Sequence, residues 1–374
     1  MGSQEAMIGF AREALGLSES IPLSLSLLEG RGSDRTFFRL HWKRKESVIL
    51  IHYDPKRIEN SSYAGIAAFL HDIHIPVPRL IGHDPGRCLI VMEDLGKTDL
   101  WSFRNAPWKN RRPLYEKTLL IVHRLHSFPE RDFPSARVRL MEGFGPGLYR
   151  WEQNYFRDHF VRDVCGINLE PSFDSELTAE LLRLAERLAG GMRCLIHRDL
   201  QSQNVMIRDG EPFLIDFQGM RLGSPFYDLG SLLCDPYVEF SNSELEELLS
   251  FYHGLLNRAG RNRDSGLDRS EAGFLKRDPA KDISDNSDWS KWNMDWTTFQ
   301  AVFWEASAQR LMQALGAYGF LGLRKGLKAF LEHIPPGLRH LHNAASHAAS
   351  FPRLLELTME CQRVIERRDI FHLN

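Results

Sequence analysis

Residues 195–217 read LIHRDLQSQNVMIRDGEPFLIDF. Two short apolar runs, Leu195-Ile196 and Val205-Met206-Ile207, enclose a polar loop, and the run PFLIDF follows an Asp209-Gly210 pair. Asp-Gly between apolar runs is a hairpin signal, because both turn positions require positive φ. Such a hairpin puts Asp199 and Asn204 on the loop that enters it and Asp216 at its far end, so the three converge at one mouth. Two carboxylates and an amide oxygen are hard donors, suited to Mg²⁺ bridging phosphates rather than to Zn²⁺.

The chain before this hairpin is rich in strand signals. An amphipathic helix over 5–16 stops at Gly16, and strand patterns follow at 23–30, 35–42 and 46–54. A helix is expected at 58–73. IPVPRLIGHD, broken by two prolines, fits only an edge strand or an extended segment, and RCLIVMEDLG at 87–96 reads as a buried strand ending in a glycine turn. After residue 97 helical periodicity dominates. The pattern SELTAELLRLAERLAGG predicts a helix capped by Ser175 or Thr178 and stopped by Gly190-Gly191, with further helices at 243–258 and from 297 onward. The fold class is therefore α+β, with a small antiparallel-sheet lobe over 1–96 and a larger, mainly helical lobe over 97–374. Residues 258–296 are polar and turn-rich, and read as a flap or insertion tied down by Trp289, Trp292 and Trp296.

Composition removes several function classes. The 374 residues carry 47 Lys plus Arg against 49 Asp plus Glu, a near balance that argues against nucleic-acid or acidic-membrane partners. Five scattered Cys without a CxxC pair disfavour a disulfide framework and fit a reducing, cytoplasmic setting. No run approaches the ~18–20 apolar residues of a membrane span, and residues 1–20 hold no signal-type apolar stretch. The i, i+3 histidine pairs His71/His74 and His123/His126 have no carboxylates in a metal-site pattern around them, and no G-x-S-x-G element supports a serine hydrolase.

The order His197-Arg198-Asp199, Asn204, Asp216-Phe217-Gln218 matches the H-R-D-x-x-x-x-N and D-F-G spacing of protein kinases, with Gln218 in place of Gly. No A-P-E segment follows; GSPFYDLGSLL comes almost at once. In this the chain resembles the aminoglycoside phosphotransferase and choline kinase superfamily, a two-lobed protein-kinase-like fold. Within it, SDRTFFRL, HRDLQSQNVM, WEQNYFRDHF and AQRLMQALGAYGF are most similar to the bacterial cell-wall kinases of N-acetylmuramate and N-acetylglucosamine. The segment QGMRLG departs from them at Gly219, where they tend to carry an acidic residue.

The resemblance implies ATP and Mg²⁺ as cofactors, held in a cleft between the lobes. Ser33 and Asp34 would cover the phosphates, and the backbone near Met92, Glu93 and Asp94 would bind adenine. The strand Lys of kinases is absent; His52 stands about where it would be, and Lys56 follows. Asp199 would act as base or orienter of the acceptor hydroxyl, Asn204 and Asp216 as Mg²⁺ ligands, and His197 and Asp228 as structural braces. Arg198, Gln218, Arg221, Trp151 and Glu152 are candidate acceptor contacts. The expected function is transfer of the γ-phosphoryl group of ATP to a small-molecule hydroxyl, with the anomeric hydroxyl of an N-acetylated amino sugar favoured. An aminoglycoside, a choline-like alcohol or another small alcohol are alternatives, and a non-catalytic nucleotide-binding scaffold is the alternative of another class. The expected assembly is a monomer or homodimer.

Overall fold

A computed structural model of the chain describes residues 4–28, 35–43, 46–264 and 294–368. Helix α1 (Gln4–Leu15) ends at Gly16, whose φ of +62° suits a residue without Cβ. Strands β1 (Ser24–Leu28), β2 (Thr36–Lys43) and β3 (Glu46–His52) lead into helix α2 (Ile58–Asp72). Strands β4 (Leu80–Asp84) and β5 (Leu89–Glu93) complete a five-stranded antiparallel sheet in the order β1-β2-β3-β5-β4. The proline-broken segment thus supplies an edge strand, as expected.

Strand alternation gives this sheet two buried faces. Leu40, Val48, Leu50, Leu89 and Val91 point outward and are covered by Phe10 and Ala11 of α1. Ile49, Ile51, Ile90 and Met92 point inward, where Tyr63, Ile66 and Leu70 of α2 meet them. The inner face continues without a break into the core of the helical lobe.

That lobe begins with α3 (Trp108–His126) and α4 (Pro146–Phe156), the latter running into a π-helical turn at Arg157–Arg162. Helix α5 (Pro171–Gly190) starts earlier than the sequence pattern suggests, because Pro171 takes the first helical position; Ser175 and Thr178 lie inside the helix, not at its cap. The Thr178 hydroxyl instead donates to the Asp174 carbonyl at 2.7 Å. Strand β6 (Cys194–Ile196) precedes the polar loop, and β7 (Val205–Arg208) and β8 (Glu211–Leu214) form the hairpin. Asp209 and Gly210 at its tip both have positive φ, 54° and 77°. Strand β9 (Arg221–Gly223) pairs with β6, and α6 (Pro225–Leu233) and α7 (Asn242–Asp264) follow. Helices α8 (Trp296–Gly319), α9 (Ile334–His347) and α10 (Pro352–Arg368) close the lobe. Trp296 stacks on Phe299 at 5.5 Å. Residues 265–293, including Trp289 and Trp292, lie outside the described residues, as do Ser33 and Asp34.

Helix α8 is the axis of the larger lobe, with most of its side chains buried among α4, α6 and α9. It approaches α4 closely at two glycines. A Cβ at Gly316 would lie 3.0 Å from the Tyr155 carbonyl oxygen, and one at Gly319 would overlap the His159 carbonyl oxygen in the π turn. Intrinsic helix propensity favours Ala over Gly by about 1 kcal/mol, whereas forced overpacking costs roughly 1–3 kcal/mol. Gly319→Ala is therefore expected to lower the unfolding free energy in a urea titration. A variant more stable than the parent would show that propensity outweighs this approach.

Candidate active site

The polar loop after β6 is organised by two buried carboxylates from the segment around α6. Asp228 is fully buried; its Oδ2 accepts the His197 backbone N–H at 2.7 Å and its Oδ1 accepts that of Arg198 at 2.7 Å. Behind it, His126 Nε2 lies 3.1 Å from Asp228 Oδ2, and His126 Nδ1 lies 2.7 Å from the Tyr252 hydroxyl. A neutral imidazole satisfies both contacts, donating to the carboxylate and accepting from the phenol. Asp235, also fully buried, accepts the backbone N–H and the hydroxyl of Ser202 at 2.7 and 2.6 Å. Burial raises the Asp235 pKa, against the opposing pull of its Ser202 hydrogen bonds.

Held this way, the loop presents its side chains in fixed positions. Arg198 is driven to φ +79°, an unusual conformation for a residue with a side chain. Asn204 Nδ2 donates to the Asp199 carbonyl at 2.8 Å, and the Asn204 carbonyl accepts the Ile215 N–H at 3.0 Å. One residue thereby ties the segment of Asp199 to the segment of Asp216. His197 is fully buried and its Nε2 donates to the Ile215 carbonyl at 2.9 Å, a bracing contact beside Asp216. Asp216 itself has φ +64°; its Oδ1 accepts Gln218 Nε2 at 2.9 Å and an ion pair from Arg35. Positive φ at both Arg198 and Asp216 is backbone strain concentrated at the two ends of one constellation.

The electrostatics around Asp199 are strongly cationic. Arg198 forms an ion pair with it, and Arg310 Nη2 of α8 lies 3.4 Å from its Oδ1. Burial works to raise the Asp199 pKa, but these two guanidiniums outweigh it and hold the carboxyl below its ordinary value. Arg221, itself buried, donates from Nε to the Gly219 carbonyl at 3.1 Å and lies over the Phe144 ring. Its pKa is depressed, first by burial and then by the charge of Arg198. The oxygens of Asn204 and Asp216 suit a hard cation that takes its remaining ligands from phosphates and water. Asn204, whose amide nitrogen is already used, offers its oxygen. Among the described residues no three His, Cys, Asp or Glu side chains gather into an all-protein metal cage.

Other expected contacts divide. The side chains of Glu93 and Asp94 are committed to the protein: Glu93 accepts Arg208 at 2.6 Å and the Arg79 N–H, and Asp94 accepts Arg39 at 2.6 Å and Ser47 at 2.7 Å. Burial opposes the Asp94 charge, yet Arg39 and Ser47 keep its pKa below the usual range. Met92 faces inward and receives the Tyr63 hydroxyl on its sulfur at 2.9 Å. His52 does not face the cleft. It shares the outward parity of Val48 and Leu50 and lines a hollow of about 410 Å³ with Gln4, Met7, Leu25 and Thr36, so it cannot replace the strand Lys.

Glu152 is likewise turned inward. Its oxygens accept the Tyr227 hydroxyl at 2.9 Å and Gln309 Nε2 at 3.0 Å, and burial raises its pKa. It braces α4 on α6 and α8 and is not free for an acceptor, whereas Trp151 beside it is 54 % exposed and stacks on Tyr155 at 5.1 Å. The sequence reading missed Asp235, Ser202, Arg310 and His126. Their partners lie 33, 111 and 102 residues away, and no local pattern marks them.

The chain is similar to known phosphotransferases and kinases. A family model described as "Phosphotransferase enzyme family" matches residues 24–267. An N-acetylmuramate/N-acetylglucosamine kinase of Pseudomonas aeruginosa is 22% identical over 349 residues, 92% of this chain and 90% of that protein. A protein of the same name from Neisseria meningitidis is 23% identical over 326 residues, 87% of each chain. Among solved structures, a choline/ethanolamine kinase family protein from Mesorhizobium loti superposes with a TM-score of 0.56 at 15% identity, covering 96% of this chain and 99% of that one. An ADP-bound aminoglycoside phosphotransferase gives 0.54 at 12% identity, covering 92% and 99%.

Among the described residues the two N–H groups on Asp228 have no other acceptor, so Asp228→Ala is expected to cost on the order of 3 kcal/mol in urea unfolding at pH 7. Glu116→Ala, which breaks the exposed pair with Arg112, is expected to cost under about 1 kcal/mol. Equal losses would show that Asp228 is not the anchor.

Proposed function

The chain belongs to the phosphotransferase enzyme family and is a kinase, and on that premise we propose that it moves the γ-phosphoryl group of ATP to a hydroxyl of an N-acetylated amino sugar. The observation that carries this reading is the Asp199 carboxylate, ionised between Arg198 and Arg310, on a segment that Asn204 ties to Ile215, the neighbour of Asp216. Phosphoryl transfer asks little covalent chemistry of a protein; positioning and charge neutralisation supply most of the acceleration. In this reading Asp199 accepts the hydrogen bond of the attacking hydroxyl, orients its oxygen and receives its proton. Asn204 and Asp216 would hold Mg²⁺, which supplies neutralising charge on the phosphate oxygens. The side chains of Glu93 and Asp94 being committed, adenine would be met by backbone groups of this segment.

The charge balance supports this acceptor class. Arg198, Arg221 and Arg310 cluster around Asp199, while Glu152, which also faces this cluster, has its charge disfavoured by burial and its oxygens occupied. Such a site suits a neutral or acidic sugar and disfavours a polycationic aminoglycoside. N-acetylmuramate, which carries a carboxylate, fits best. Trp151, stacked on Tyr155 and open to solvent, offers a face for the sugar ring.

The test is an ADP-release screen over N-acetylmuramate, N-acetylglucosamine, aminoglycosides and choline, with Asp199→Ala as control. Turnover is expected on the acetylated sugars, and Asp199→Ala is expected to lose on the order of 10²–10⁴ in kcat while keeping its circular dichroism spectrum. An active Asp199→Ala, or no turnover together with no Mg-ATP binding, sinks the reading and favours a scaffold.

A pH profile tests the same carboxylate. Because burial is outweighed by the Arg198 and Arg310 guanidiniums, which hold the Asp199 carboxyl below its ordinary value, its acid limb in kcat/KM is expected on the acid side of an ordinary carboxylate's. Arg310→Met, by removing a cation, is expected to move that limb to higher pH; a fixed or lowered limb would assign it to another group.

A further inference from the structure

The inward positions of β3 are Ile49 and Ile51, and no Lys stands on this strand. The acids of α2 lie at its two ends: Glu59, paired with Arg57 at 3.7 Å, in the first turn and Asp72 at the last residue. Nucleotide phosphates bound here would still require a fixed cation from the smaller lobe. Arg35, immediately before β2, is the residue whose guanidinium reaches across the cleft to Asp216, 181 positions away. Its side chain is only 11 % exposed. The contact is framed by packing. Tyr63 of α2 stacks on Phe217 with ring centroids 4.8 Å apart and donates its hydroxyl to Met92, which seats the inner face of the sheet against the segment that carries Asp216.

We infer that Arg35 is the phosphate-binding cation of this kinase, and that its guanidinium exchanges Asp216 for the nucleotide phosphates when a divalent cation takes the Asp216 carboxylate. This rests on the phosphotransferase reading and deepens it. Without nucleotide, Arg35 neutralises a carboxylate that would otherwise stand beside Asp199 uncompensated. With a metal ion at Asp216, two like charges cannot share the same oxygens. A guanidinium already inside the cleft then has phosphate oxygens as its matched partner, since its planar fork fits them in bidentate geometry. Gln218, which shares Asp216 Oδ1 at 2.9 Å, keeps the carboxylate oriented through the exchange.

The exchange has a signature that a purely structural bracket lacks, because Arg35 helps the nucleotide and competes with the metal. In Arg35→Met, Mg-ATP affinity measured by calorimetry is expected to fall by about tenfold or more, while Mn²⁺ alone, counted by electron paramagnetic resonance, is expected to bind tighter than in the parent. Arg35→Lys, which keeps the charge but not the fork, is expected to recover part of the nucleotide affinity and serves if the Met variant fails to fold. Unchanged Mg-ATP affinity in Arg35→Met overturns the inference, and so does weaker Mg-ATP binding with Mn²⁺ binding unchanged or weakened. Parent protein that binds no Mg-ATP overturns the phosphotransferase reading as well, which separates the two failures.

Discussion

The Asp228 carboxylate accepts the backbone N–H groups of His197 and Arg198 in a space closed to solvent. Two consecutive N–H groups can converge on one carboxylate only if the chain bends sharply between them, and Arg198 accordingly takes positive φ. That bend delivers Asp199 into the cleft between two guanidiniums. The arrangement is costly to leave half-made, because each orphaned donor would bear its full desolvation penalty. It is also self-supporting, since His126 and Tyr252 steady the carboxylate from behind. Asp235 repeats the device on Ser202, so both ends of the loop are pinned to one helix and its exit.

Helix α8 performs a different task. Gln309 and Arg310 are adjacent, yet they serve separate networks: Gln309 bonds Glu152 and Gln153, and Arg310 reaches Ser231 and Asp199. Adjacent helical residues point about 100° apart, so one turn of α8 meets α4 on one side and the polar loop after β6 on the other. The glycines at 316 and 319 bring the backbone of α4 and its π turn against α8 farther along. The position of Arg310 relative to Asp199 therefore depends on packing about two turns away.

The hairpin and the convergence of Asp199, Asn204 and Asp216 on one mouth were legible in the sequence because they are local. Asp209-Gly210 fixes a turn, and the spacing of the polar residues follows from it. The edge strand at 80–84 was legible for a similar reason, through its prolines. What escaped was long-range or a matter of parity. Ser202 has no local mark of a partner 33 residues on, and Arg310 none of a loop 111 residues back. His52 misled because both faces of β3 are apolar: ILIH gives no alternation from which to tell cleft from exterior, and the structure assigns the inward face to Ile49 and Ile51. The start of α5 was misplaced because a proline at the first helical turn outweighed hydroxyls that resembled caps.

Glu93 and Asp94, side by side where the lobes join, are gripped from opposite directions. Arg208 of the hairpin in the larger lobe holds the first, and Arg39 of β2 in the smaller lobe holds the second, with Arg39 also bonding the Gly96 carbonyl at 2.8 Å. Together with a core that passes unbroken between the lobes, this double clasp removes the loose linker that would let either part melt alone. The two lobes thus share one core, so the proposed nucleotide, if bound between them, would stabilise α9 and α10 along with the strands beside it.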